Sequence, residues 1–228
     1  MLHYHGTPIT PRSNLLSLAG RCFCVSFAKP CDVKVCHEIG QSVMLDNGAF
    51  SFWRVGKETD WTGFYAWAAE WLDHNTTWAV IPDVIGGSEA ENDALIDKWR
   101  QQRLPRGVPV WHMHESLERL SELVDEWSRV CFGSSAQFAH VGGDLWRRRA
   151  DQAFNRIVRD NGSVPWVHML RGMALSGTEY PFASVDSTDV ARNHNRPGNT
   201  AADMALRWDS MQNPATWQLR HQMEMEGV

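Results

Sequence analysis

The chain of 228 residues lacks any apolar run near the ~20 residues that cross a bilayer as a helix, so no membrane-spanning helix is expected. Its first residues, Met1-Leu2-His3-Tyr4-His5, lack the basic and then apolar order of an export signal. Positive charge is not in excess. The 22 Lys and Arg stand against 27 Asp and Glu, giving a net charge of −5, which excludes a generally basic nucleic-acid binder and confines any phosphate contact to a local patch. Cysteines are five, an odd number, and Cys22-x-Cys24, Cys31 and Cys36-His37 match no standard zinc spacing. They read as buried, reduced thiols of a cytoplasmic protein. No glycine-rich dinucleotide or P-loop fingerprint follows an early strand, which counts against a doubly wound open sheet.

What is present is a series of short apolar runs separated by helix-like segments. Strands are expected at Leu2–Gly6, Cys22–Phe27, Ser42–Asp46, Thr77–Pro82, Val108–Met113, Arg129–Phe132, Val164–Leu170 and Phe182–Val185. Helices are expected at Ser13–Leu18, Asp32–Gly40 and Phe64–Asp73, from Ser88 to about Arg103 with Glu91 closing a capping box, from Ser116 with Leu117, Leu120, Leu123, Val124 and Trp127 on one stripe, at Asp144–Asp160, and from Thr200 to about Met211, the last residues fraying. The charged segment from Ser51 to Thr62 reads as a lid or as a plain surface loop. Trp is abundant at 12 residues, and Trp67 and Trp71, four apart, have the spacing of helix packing. The pattern predicts one α/β domain over residues 1–228, a compact (β/α)8 TIM-type barrel.

In such a barrel the C-terminal ends of the strands form the active-site rim. Three of these runs end in an acid: Val43-Met44-Leu45 in Asp46, Ala79-Val80-Ile81-Pro82 in Asp83, and Phe182-Ala183-Ser184-Val185 in Asp186. Each alone serves equally as a helix cap or turn residue. Together they suit chemistry at a sugar carbon, with one carboxylate as nucleophile on an oxocarbenium-like centre and another moving a proton. The same rim carries His112, His114 and Glu115, the Gly133-Ser134-Ser135 turn, and His168. That turn suits either the carbonyl of a flat heterocycle or a simple β-to-α connection.

A rival constellation is His3-x-His5 with His112, His168 and Asp186, the ligand pattern of a metal-dependent hydrolase acting on a small molecule. Against it stand the two residues that precede His3 and the lack of an obvious bridging Lys on a central strand. Basic residues gather in two places. Arg147 and Arg148, with Arg149, Arg156 and Arg159, lie on one helix, and Arg192, Asn193, Asn195 and Arg196 follow Asp186. Either group suits phosphate, and a solvated helix face accounts equally for the first.

Leu45-Asp46-Asn47-Gly48-Ala49-Phe50 resembles the Asp-Ser-Gly-Gly-Phe motif of the tRNA-guanine transglycosylase family. Ser184-Val185-Asp186-Ser187-Thr188, followed by Ala191-Arg192-Asn193, resembles that family's nucleophile segment. With Ile81-Pro82-Asp83-Val84-Ile85, Trp111-His112-Met113-His114-Glu115-Ser116 and Phe132-Gly133-Ser134-Ser135, the ensemble is similar to a shortened phage and bacterial branch, queuine tRNA-ribosyltransferase-like, that includes DNA-guanine transglycosylases. The resemblance runs from about Leu45 to Asn193 and implies a β/α barrel that exchanges guanine for a 7-deazaguanine such as preQ0. It implies Asp186 as nucleophile at C1′, Asp46 as proton carrier, and Asp83 on the Watson–Crick edge of the base with Gly133 and Ser134 near its carbonyl. No cofactor is implied. His112, His114, Ser135 and His168 complete the expected base site, and Arg147, Arg148, Arg192, Asn193 and Arg196 the expected nucleic-acid contacts. Departures from the family are a shorter spacing after Asp186, which makes Asp189 a fallback nucleophile, a missing Gln-Gly-Gly motif, for which His112 or His114 stands in, and no C-terminal zinc module. The last points to DNA as the polymer, with tRNA as the alternative.

Overall fold

The computed structural model describes residues 1–220, and the fraying expected of the last residues from His221 lies outside that range. Strands and helices mostly alternate in chain order, with α3–α4, β5–β6, β8–β9 and α8–α9 as consecutive pairs of one kind: β1 (Leu2–Gly6), α1 (Arg12–Leu16), β2 (Cys22–Ser26), α2 (Val33–Ile39), β3 (Ser42–Asp46), α3 (Ala49–Arg54), α4 (Trp61–Trp71), β4 (Thr77–Val80), α5 (Glu89–Gln102), β5 (Gly107–Val108), β6 (Val110–His112), α6 (Leu117–Glu126), β7 (Arg129–Gly133), α7 (Asp144–Asn161), β8 (Trp166–Met169), β9 (Ser184–Ser187), α8 (Asp189–Asn193) and α9 (Ala201–Asp209). Every strand pair is parallel. The sheet runs β5-β4-β3-β2-β1-β9-β8-β7-β6, so its two edge strands are consecutive in the chain and the sheet curls into a nearly closed barrel. Among the described residues no helix is long and apolar enough to cross a membrane.

The run expected as one strand from Val108 to Met113 is split. Pro109 has no N–H to give the ladder and separates β5 from β6, while its carbonyl still accepts from the Cys131 N–H at 2.8 Å. The last strand also differs from expectation. It begins at Ser184 and runs through Ser187, which places Asp186 within the ladder opposite Tyr4. The segment from Ser51 to Thr62 is not one long loop, because α3 covers its start and α4 its end.

Helix ends follow local chemistry. The Ser88 side chain accepts from the Glu91 N–H while Glu91 reaches back, the reciprocal box read from the sequence. Ser116 and Thr200 cap α6 and α9 the same way, through the N–H groups of Arg119 and Asp203. Gly162, at φ 73°, supplies the left-handed turn that ends α7. The packing expected of Trp67 and Trp71 is found: Trp67 meets Phe27 at 5.6 Å and Trp71 stacks on His37 at 4.8 Å.

Side chains alternate across each strand and build two separate cores. The outer core lies between the barrel wall and the helices and includes Phe23, Leu45, Trp111, Phe132, Phe154, Val167 and Val185. The inner core fills the barrel with Tyr4, Cys22, Cys24, Met44, Trp78, Val80, Val108, Val110 and Cys131, with Trp166 and Leu170 against it. At its centre the Trp78 indole N–H donates to the Tyr4 hydroxyl at 2.9 Å, and that hydroxyl pairs with Ser42 Oγ at 3.0 Å. Trp78 also meets Trp166 and His168 edge-on at 5.4 and 5.2 Å. This aromatic plug closes the barrel bore beneath the C-terminal rim.

Candidate active site

Above the plug, the inward positions at the strand ends are polar. Asp46 and Asp186 lie on inward positions of β3 and β9, and Asp83 follows β4. Asp186 is held through one oxygen: His168 Nε2 lies 3.2 Å and the Arg171 backbone N–H 2.7 Å from Oδ1. A carboxylate can only accept, so Nε2 carries the proton and His168 Nδ1 accepts from the Ser184 hydroxyl at 2.7 Å. Oδ2 of Asp186 makes no hydrogen bond among the described residues.

Asp46 is pushed up to about 6 from the usual 3.8, first by burial and then by the charges of Asp186 and Asp83. The Ser26 hydroxyl and the Gly48 N–H pull against that rise. Asp46, Asp83 and Asp186 stand at or just after the C-terminal ends of β3, β4 and β9, all parallel strands, and so share one end of the barrel. Asp83 is buried, with Oδ1 accepting from Asn47 Nδ2 at 2.7 Å and Oδ2 facing His112 Nε2 at 3.0 Å. The latter contact lacks hydrogen-bond geometry, so it is an electrostatic pairing. Burial works to lower the His112 pKa, but the carboxylates of Asp83 and Glu115 outweigh it and hold the ring above its ordinary value. His112 Nδ1 is buried without a hydrogen-bond partner among the described residues.

Around this centre the expected residues divide. Gly133 faces inward beside His112, and a Cβ there would come within 2.8 Å of His112 Nδ1. Ser134 is a correction. Its hydroxyl is turned away from the barrel, accepting from Trp146 Nε1 of α7 at 2.9 Å, because residues 133 and 134 alternate across the wall. Its carbonyl does face the rim and accepts from Arg171 at 2.6 Å. His114 bridges Ser135 Oγ and the Gly87 carbonyl at 3.0 Å each, and so orders two rim loops. Glu115 belongs to a buried support, taking Asn92 Nδ2 at 2.8 Å, the His112 N–H at 2.8 Å and Arg119 at 3.0 Å.

The basic groups are only partly free. Arg147 is tied to the Gly142 carbonyl at 2.7 Å, with Glu179 at 3.4 Å, whereas Arg148 is exposed. Asn193 donates to Asp189 at 2.6 Å and its carbonyl receives Asn199, which spends it on the α8 turn. Arg192 lies on α8 exposed, and Arg196 follows it, exposed as well. Asp189, the expected fallback nucleophile, has both oxygens engaged, by Asn193 and by Trp208 Nε1 at 3.0 Å, whereas Asp186 accepts through Oδ1 alone.

The metal constellation is not assembled. Tyr4 faces inward, so His3 and His5 face outward onto α9, where His5 Nε2 lies 3.1 Å and His3 Nδ1 3.6 Å from Asp209. Burial lowers His3 to about 4, and the Asp209 charge offsets only part of that. Among the described residues no group of three or more His, Cys, Asp and Glu side chains is arranged to hold a metal ion.

Sequence reasoning missed Arg171. It follows β8 at φ 58°, binds Asp186 through its backbone, and reaches across the mouth to the Ser134 carbonyl and to the Phe50 ring at 4.1 Å. β8 and β3 are separated by three strands in the sheet order, so this side chain spans the opening. A lone Arg-Gly after a strand gives no signal of that reach. Ser26 and Asn47 were missed likewise, although each sits at the end of an expected strand. No family model, curated protein or solved structure matches this chain.

Proposed function

We propose that this protein is a guanine transglycosylase that replaces guanine in DNA by a 7-deazaguanine through a glycosyl-aspartate intermediate. The observation that supports it most is the meeting of Asp46, Asp83 and Asp186 at one end of the barrel, with Asp46 raised to about 6 by burial and by the other two charges. In the first displacement Asp186 Oδ2 forms a bond to C1′ as the C1′–N9 bond breaks, and Asp46 in its acid form gives its proton to the departing guanine. In the second, the incoming base loses its N9 proton to the Asp46 carboxylate and displaces Asp186 from C1′. Two inversions restore the anomeric configuration, and the exchange needs no oxidant, triphosphate or cofactor. A group near pKa 6 suits a proton carrier that must act as acid in one half and base in the other.

Asp83 is the acceptor for the N1–H and amino edge of guanine, since Oδ1 keeps a second lone pair beyond Asn47 and Oδ2, which only faces His112, accepts no hydrogen bond among the described residues. The planar guanidinium of Arg171 over Phe50 shields the mouth and must swing aside for the base to enter. The target guanine has to leave its stack to reach Asp186, at a cost of a few kcal/mol. The accompanying fold reading is a (β/α)8 barrel in which β5 and β6 count as one strand interrupted at Pro109, because they pair with β4 and β7 respectively. The five free thiols suit the reducing cytoplasm.

The test supplies labelled guanine and preQ0 to the purified protein with DNA and, separately, with tRNA. Label should move in DNA, and Asp186→Asn should abolish transfer by about a thousandfold or more while far-UV circular dichroism is unchanged. Transfer in tRNA alone makes tRNA the substrate. Exchange by Asp186→Asn at the native rate overturns the mechanism.

A further inference from the structure

The two cavities described, about 510 and 210 Å³, open at the N-terminal end of the barrel and include none of the three acids. The larger has the volume of a small-molecule site. The N-terminal end of a β/α barrel normally serves stability, so its lining chemistry decides whether it is more than a gap. Tyr4, Trp78, Trp127 and Trp166 give it aromatic walls. Its only charged lining residues are Arg106 and Arg129, with no carboxylate, in a protein whose net charge is −5.

Both cations are set up to receive an anion. The Arg129 guanidinium lies over the Trp166 ring at 4.7 Å and has no ion-pair partner among the described residues. Arg106 is fixed by two of its nitrogens, Nε donating to the Thr77 carbonyl at 2.7 Å and Nη2 to the His74 carbonyl at 3.2 Å, which leaves Nη1 unspent. Trp127, a lining residue, also carries an indole N–H that is buried without a partner among the described residues.

We propose that this cavity is a second binding site, for a planar aromatic anion whose ring packs on the indoles and whose anionic group meets Arg129 and Arg106. Flat aromatic walls reward a ring, and donors without acceptors of matching charge reward a phosphate or carboxylate. The aromatic plug separates this site from the acids. The site therefore stands whether or not the exchange reaction does.

Adenosine 5′-monophosphate serves as the phosphate probe and naphthalene-2-carboxylate as the carboxylate probe, with adenosine and inorganic phosphate as half-ligands. Isothermal titration should give one site per chain for at least one anion, with each half-ligand at least about tenfold weaker. Arg129→Gln should weaken binding about tenfold or more, Trp127→Phe should weaken it less, and Asp186→Asn should leave it unchanged. Arg129 is exposed, so its variant should keep the native unfolding temperature, and Trp127→Phe, which keeps an aromatic ring but removes the indole N–H, supplies an independent readout. Binding of one anion and not the other, with the same dependence on Arg129, fixes the anionic group and supports the site. No binding of either anion at millimolar concentration, or binding indifferent to both variants, overturns it.

Discussion

Replacing Asp46 by Asn should make the protein more stable and less active, and the gain in stability should depend on pH. The Asp46 carboxyl is raised from 3.8 to about 6, mainly by burial, so the folded state binds its proton more tightly than the unfolded chain. Between those two values the native protein carries more protons than the unfolded one, and the free energy of unfolding falls as pH rises. A rise of about two units at 1.36 kcal/mol each gives a penalty of about 3 kcal/mol, complete near neutrality and absent below pH ~4. Asn is neutral, has nearly the same shape, and keeps an oxygen for the Ser26 hydroxyl and the Gly48 N–H. Asp46→Asn should therefore exceed the native protein by up to about 3 kcal/mol at pH ~8 and match it at pH ~4. Urea unfolding at unit steps of pH measures this, and the exchange assay measures the loss of proton transfer. A stability difference of equal size at both ends of the range would refute the upward shift of the Asp46 carboxyl, and with it the burial and like charges that cause it. So would a destabilised Asn variant, which would mean that the ionised form is the one the fold favours.

His3 works in the opposite direction over an overlapping range. Its pKa falls from 6.5 to about 4 on folding, so its contribution is present above 6.5 and is lost as pH falls towards 4, about 3 kcal/mol in all. His3→Gln should remove that acid sensitivity in urea unfolding and expose the rise in stability that Asp46 gives on acidification. Tyr4→Phe should destabilise by about 1–3 kcal/mol in the same assay, because the buried Trp78 N–H loses its acceptor, while base exchange persists. Gly133→Ala puts a methyl 2.8 Å from His112 Nδ1 and should displace the imidazole that faces Asp83, raising KM about tenfold or more with unchanged circular dichroism.

The rim was legible because a buried strand that ends in an acid and a turn is a strong local signal, and three such endings lie at comparable places in the repeat. Asp46, Asp83 and Asp186 could be named without coordinates for that reason. What was not legible is which way each residue faces. Strands covered on both sides carry no apolar-polar alternation, so Cys22-Phe23-Cys24-Val25 reads the same whichever pair looks inward. His3 and His5 could be read into a metal centre on that account, and the Ser134 hydroxyl into the base site. Arg171 was hidden for another reason. Its role comes from a left-handed turn and a reach across the mouth, and neither leaves a periodic trace.

One register decision settles several of these questions together. Tyr4 pairs in the ladder with Cys22 on one side and Asp186 on the other, and its ring sits in the barrel core against Trp78. If Tyr4 is inside, His3 and His5 must be outside, and the outward pair finds Asp209 on α9. The same register puts Asp186 inside, over His168, at the level where the aromatic plug ends. Slipping β1 by one residue would bring both histidines under the acids, expose Tyr4 to the helices and break the Trp78 hydrogen bond. The fold resists that slip because it would empty the aromatic core and take both imidazoles, already buried, away from Asp209, so the register that fills the bore with Tyr4 and Trp78 is also the one that keeps His3 and His5 away from the acid cluster.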